Sequence, residues 1–171
     1  MTRTITAVLL GCSVFGAFAQ DIKEPEFPDV FYALISGGQL KTLEREEASA
    51  RTNGSVFTSI KAGLELPGAA SPVRLQSGLI ELVVLSPDSL KTDPGSLYHV
   101  RKLQSKKKSR EVLLGKVSAF GGAKTSDESL VAYTFSKYGK SSIKLTIAAL
   151  PPGEYAVGRA HGRVLFCFGV D

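Results

Sequence analysis

The chain has 171 residues, 43% of them hydrophobic, and carries 21 basic against 16 acidic side chains for a net charge of +5. That length suits one domain with a substantial core. With two cysteines and no tryptophan, a disulfide framework is excluded once Cys12 is assigned to a leader, and a carbohydrate cleft would lack its usual stacking platform.

Met1 to Ala19 reads as a signal peptide. Arg3 supplies the positive n-region, Ile5 to Phe18 the apolar run, and Ala17-Phe18-Ala19 the small-x-small cleavage pattern before Gln20. A lipoprotein signal is the alternative, with Leu9-Leu10-Gly11-Cys12 as lipobox and Cys12 as the lipidated residue. The apolar segment after Cys12 is a poor polar tether, which favours a soluble export signal. Either reading places the protein outside the cytoplasm, in the periplasm or the extracellular space. Without Arg3, 20 basic residues remain against 16 acidic ones, and Cys167 is the sole cysteine left. No later apolar run is long enough to span a bilayer.

Gln20 to Pro28 is an acidic, proline-containing lead-in. Val30–Ile35 and Gln39–Glu44 flank Ser36-Gly37-Gly38, which predicts a hairpin with glycine in a positive-φ turn. Glu44-Arg45-Glu46-Glu47 offers a short helix as the alternative ending. Thr52-Asn53-Gly54 predicts a turn, and Asn53-Gly54-Ser55 is also a glycosylation sequon. Residues 20–53 are thus an extended segment with a hairpin, preceding a main domain over residues 54–171.

From Ser55 the predicted strands come at short intervals. Val56–Leu66 is broken by Pro67-Gly68; Val73–Gln76 is short; Leu79–Leu85 places Ile80, Leu82 and Val84 on one face. A loop over Pro87–Gly95 holds Asp88 and Asp93. Ser96–Leu103 and Glu111–Phe120 form a hairpin across a lysine-rich tip, and Gly121–Glu128 reads as a loop. Val131, Tyr133 and Phe135 mark the next strand, and Ile143, Leu145 and Ile147 alternate with Lys144, Thr146 and Ala148 in another. Pro151-Pro152-Gly153 reverses the chain into a strand bearing Tyr155 and Val157. The final strand, Arg163–Val170, is apolar on both faces and therefore has to be covered on both sides or lie centrally. So many short strands, with turn signals between them, argue for a sandwich or barrel over an α/β fold.

Leu150-Pro151-Pro152-Gly153-Glu154-Tyr155 resembles the L-x-P-G-x-x-Y corner of fibronectin type III and related immunoglobulin-like sandwiches, one residue short between Gly153 and Tyr155. The resemblance implies an all-β, immunoglobulin-like antiparallel β-sandwich, here with an extra N-terminal hairpin. It also implies that the Tyr155 hydroxyl bonds back to the upstream backbone while its ring enters the core, with Gly153 permitting the reversal. Val157 stands where antibody-type domains carry their second cysteine. The ending Phe166-Cys167-Phe168-Gly169-Val170-Asp171 is similar to that of uncharacterised exported bacterial proteins without an assigned activity. The expected core comprises Ile80, Leu82, Val84, Val131, Tyr133, Phe135, Ile143, Leu145, Ile147, Tyr155, Phe166 and Phe168. Between Phe166 and Phe168, Cys167 reads as a buried inert thiol; an intermolecular disulfide would need that strand at a sheet edge.

No catalytic motif is present, so an enzyme is not expected. His99 and His161 lack a nucleophile context, and zinc would need more convergent ligands than two histidines and a cysteine. No phosphate-binding, dinucleotide-binding or calcium loop occurs, and no cofactor or metal is implied. Asp88 with Asp93, and Glu46 with Glu47, read as solvated loop carboxylates.

One charge feature stands out. Arg101, Lys102, Lys106, Lys107, Lys108, Arg110 and Lys116 oppose only Glu111, whereas residues 20–47 hold seven acidic and three basic residues. The basic cluster either protects a sheet edge, or binds an anionic envelope component or an acidic protein, or docks internally on the acidic N-terminal segment. Nucleic acid is disfavoured because no aromatic interleaves the lysines. The expected function is a non-catalytic binding or interaction module of the bacterial cell envelope. The alternative is a structural or assembly subunit joined through sheet edges.

Overall fold

The computed structural model describes residues 22–55, 59–86, 92–118 and 122–171. The leader assigned to residues 1–19, with Cys12, lies outside the described residues, as does Asp88. The fold is all-β and, but for one short parallel pair, antiparallel: two sheets face each other as in a sandwich.

Along the chain, β1 (Phe31–Ile35) turns through a single 3-10 turn into β2 (Gln39–Thr42), with Gly37 and Gly38 at positive φ as the hairpin requires. The charged segment after Leu43 is a strand, β3 (Glu44–Glu47), followed across Ala48 by β4 (Ser49–Ser55). Then come β5 (Ser59–Pro67), the short β6 (Arg74–Leu75) and β7 (Ile80–Leu85). One helical turn, α1 (Pro94–Leu97), leads into β8 (Tyr98–Ser105) and β9 (Ser109–Ser118). The remainder is β10 (Gly122–Thr125), β11 (Leu130–Val131), β12 (Thr134–Tyr138), β13 (Ser142–Ile147), β14 (Gly153–Arg159) and β15 (Val164–Val170).

The first sheet has the order β12-β13-β7-β1-β2, and the second runs β3-β15-β14-β8-β9-β5-β4. β1 is therefore an interior strand, and β3 pairs with β15 in the opposite sheet. The N-terminal hairpin β1–β2 forms where expected but is built into the first sheet rather than added to it, and the following β3 enters the second sheet. The second sheet also begins and ends on one continuous segment, because β3 and β4 are joined only by Ala48. This continuity rolls the sheet back on itself.

Rolling gives β8, β14 and β15 two buried faces. Tyr98, Val100, Tyr155, Val157, Phe166, Phe168 and Val170 pack across the sandwich against Phe31, Ile80, Leu82, Val84, Ile143, Leu145 and Ile147. On the reverse face, Leu103, Ala156, Leu165 and Cys167 meet Ala48, Leu66 and Val112 inside the roll. The two-sided apolarity of the last strand is thus used on both sides. Cys167 is fully buried within a strand flanked by β14 and β3, and burial pushes its thiol up to about 12, so it is an inert core thiol.

Four local expectations are corrected. Asn53 and Gly54 lie inside β4 and not at a turn; a side chain at Gly54 would collide with the Ser59 carbonyl across the hairpin. Residues 122–125 pair with β9 as a strand rather than forming a loop. Val131 and Phe135 belong to different strands, because the chain crosses between sheets at residues 132–133. Phe135 in consequence sits on the outer strand β12, 48% exposed, while Val131 and Tyr133 pack partly buried against the core.

Two polar devices hold the frame. The Tyr155 hydroxyl donates to the Pro151 carbonyl at 2.8 Å, and its ring stacks on Phe168. Arg110, whose side chain is 1% exposed, is bound by Glu44 at 2.7 Å and donates to the carbonyls of Pro67 and Gly68. Tyr155→Phe should lower stability by about 1–2 kcal/mol through one lost buried hydrogen bond; an unchanged denaturation midpoint would remove the corner. Glu44→Ala should cost about 3 kcal/mol, because it strands a buried guanidinium, and pairing Glu44→Leu with Arg110→Met should recover most of that loss. Urea denaturation of the three variants measures both effects.

Candidate functional site

The basic residues that the sequence groups together are separated by strand geometry. Lys106, Lys107 and Lys108 form the exposed tip of the β8–β9 hairpin, closed by the Lys106 amide donating to Ser109. None of the three makes an ion pair among the described residues. Lys102 is exposed on β8, beside Gly153 and the Tyr155 corner. Arg110 turns inward to Glu44, and among the described residues it alone of the cluster forms an ion pair with the acidic N-terminal segment. It is not available to an outside ligand. Arg101 leaves the surface cluster as well and points to a different place.

That place is a cleft of about 380 Å³ at one end of the rolled sheet, between the β4–β5 hairpin and the β14–β15 hairpin. Register explains its position. Arg110 lies across from Leu66, Val112 from Leu64, and Gly115 from Ala62, so the layers run from the Arg110–Glu44 pair toward small residues. On the facing wall, Leu103 pairs with Glu154, Arg101 with Ala156, and His99 with Gly158. Ala50, Ala62, Gly63, Ala156 and Gly158 leave the space that larger side chains would fill. Gly63 is required where β5 and β9 shift register, because a Cβ there would lie 2.4 Å from the Val112 carbonyl.

Among the described residues the ionisable lining is entirely basic: Arg51, His99, Arg101, Arg159, His161 and Arg163, with no carboxylate. Four arginines other than Arg101 have carboxylate partners among the described residues. Arg51 is paired with Glu65 and Glu111, Arg74 with Glu154 and Asp171, Arg110 with Glu44, and Arg159 with Asp29. Arg101 differs. Half-buried, it donates to Ser129 Oγ at 2.9 Å and lies 3.3 Å from His99 Nδ1, with no carboxylate at ion-pair distance among the described residues. Burial pushes its pKa down, opposed by the more distant Asp127. His99 is likewise pushed down, first by burial and then by the positive charge of Arg101 and His161.

The two histidines, read separately from the sequence, thus come to one site, with His161 contributed by the Ala160-His161-Gly162 turn after β14. Sequence reasoning missed this convergence, although one signal was available. Arg101 shares strand parity with the inward Leu103, and Lys102 does not. Of the expected acidic residues, Asp93 caps α1 by accepting from the Gly95 amide at 3.0 Å, and Glu46 and Glu47 lie on β3 beside β15. Among the described residues, no group of three or more metal-ligating side chains converges, and no helix is long and apolar enough to cross a membrane.

No protein-family model matches the chain, and no curated protein sequence matches it significantly.

The electrostatics of the cleft make a direct expectation. His99 should titrate below the ordinary histidine midpoint of 6.5, and Arg101→Gln should move that midpoint upward by removing a neighbouring positive charge. Because the folded-state pKa is depressed, His99 binds more protons in the unfolded chain. Its contribution to stability is therefore present above pH 6.5 and lost as pH falls through the folded value. NMR titration of the imidazole Cε1–H signals measures the shift; an unmoved midpoint in the variant would separate the two side chains.

Proposed function

We propose that the protein is an exported, non-catalytic binding module of the bacterial cell envelope or extracellular space, and that it receives an anion in the cleft. The observation that carries this reading is Arg101, a half-buried guanidinium lining a cleft without a carboxylate partner. A desolvated, uncompensated charge is unfavourable, and an incoming carboxylate or phosphate oxygen offsets that cost with charge-assisted hydrogen bonds. Kinship with immunoglobulin-like sandwiches forms part of the same proposal, supported by the Tyr155–Pro151 hydrogen bond at the corner. The exposed lysines of the hairpin tip then serve as long-range attraction for anionic surroundings and as edge protection.

Assembly through sheet edges is the second reading, favoured by the outer strand β12 with Phe135 on its exposed side. It predicts salt-tolerant self-association in sedimentation experiments, whereas the first reading predicts salt-sensitive binding.

Thermal denaturation in phosphate, sulfate or acetate, at constant ionic strength set with chloride, tests the first reading. An anion at ten times its Kd should stabilise the native chain by about 1.4 kcal/mol. Arg101→Gln should lose the effect, and a variant with Lys106, Lys107 and Lys108 changed to glutamate should keep it. Loss in the lysine variant alone would move the site to the hairpin tip.

A further inference from the structure

We infer that the ligand of this cleft is an amphipathic anion: one carboxylate or phosphate headgroup at Arg101, joined to an unbranched apolar body that lies between the β4–β5 and β14–β15 hairpins. The inference rests on the anion-binding reading and adds the ligand's other half. Beneath the basic rim, the wall is apolar: Leu64, Leu103, Val112, Leu114, Ala156 and Leu165 line it. Leu103, Val112, Ala156 and Leu165 are buried in the inner core, whereas Leu64 and Leu114 pack on that core only partly buried. Ala50 and Ala62, on the hairpin wall, are exposed to the cleft.

A simple inorganic anion would use Arg101 and leave this apolar wall in water. A neutral apolar ligand would cover the wall and leave the guanidinium desolvated without a carboxylate or phosphate partner. An anion with an apolar body satisfies both surfaces at once. The cleft's volume of about 380 Å³ falls within the range of about 300–1,000 Å³ usual for small-molecule sites. Rolled sheets of this kind readily hold one small ligand at an open end when small side chains leave the interior unfilled. His99 and His161 flank the headgroup position, and the other charged groups facing it are Arg159, Arg163 and Arg51, the last paired with Glu65 and Glu111, with Asp127 farther away.

Isothermal titration of the purified protein with acetate, hexanoate, decanoate, monodecyl phosphate, decanol and decyltrimethylammonium tests the inference. Affinity should rise from acetate to decanoate, by roughly fourfold for each methylene that is buried. Decanoate and monodecyl phosphate should both bind, and their ratio distinguishes the two headgroups. Arg101→Gln should weaken both by about tenfold or more. Ala62→Phe, at an exposed position that tolerates bulk, should flatten the chain-length dependence by occupying the wall; Ala50→Phe provides a second blocking variant. If decanoate binds no more tightly than acetate, the apolar half of the inference falls and the anion reading stands. Decanol binding as tightly as decanoate, unchanged in Arg101→Gln, would overturn the anion reading itself. Absence of binding by every member of the series would overturn both.

Discussion

The rest of the structure depends on the way a single guanidinium is held. Arg110 stands at the start of β9 and reaches the Glu44 carboxylate on β3 and the Pro67 and Gly68 carbonyls at the end of β5, with Glu154 of β14 at 3.9 Å. Burial works against the charge of Arg110, but Glu44, with help from Glu154, outweighs it and holds the guanidinium protonated. The group links strands that lie far apart in the second sheet's order, and so fixes the roll at one end. Glu154 is itself held from the other side by Arg74 and the Ser71 amide. A network of this kind contributes specificity of arrangement more than net stability, since a well-packed apolar substitute is often as stable.

Closing one end with a satisfied ion pair leaves the other end free to differ. There the layers thin to alanine and glycine, and Arg101 has no carboxylate at ion-pair distance among the described residues. Two arginines on adjacent strands, Arg101 and Arg110, thus have opposite surroundings although they flank the same hairpin. One is neutralised by its own chain and is architectural; the other has only Ser129 Oγ and His99 Nδ1 within hydrogen-bond distance. The lysines between them on the hairpin tip are solvated and belong to neither arrangement.

Much of the fold was legible because alternation is a local property. The two-faced run Val164 to Val170 implied cover on both sides, and Ile143, Leu145 and Ile147 declared their buried face without reference to any partner. The Leu150–Tyr155 corner announced a reversal and a hydroxyl-to-backbone bond. Where partners decide, the sequence says less. Phe135 looks like a core residue, yet β12 has a neighbour on one side only. Asn53-Gly54 looks like a turn, yet the glycine answers a close approach by Ser59. The cleft was the least legible part, because its walls come from three stretches, residues 50–64, 99–114 and 156–165, the first and last about a hundred positions apart. A cluster of positive residues in the sequence suggested one patch, and strand parity divided it into a surface, an interior and a site.

The pairing of β3 with β15 also has a consequence in time. Residues 44–47 find their partner only among residues 164–167, almost at the end of the chain. β1, meanwhile, waits for β7, and β7 for β13. Sequence-distant pairing of this kind slows folding, because loop closure has to precede the contacts that reward it. The second sheet cannot be completed while the last strand is still being synthesised. β3 therefore stays without its β15 partner until nearly the whole chain has emerged, while the local hairpins β1–β2 and β4–β5 can already pair.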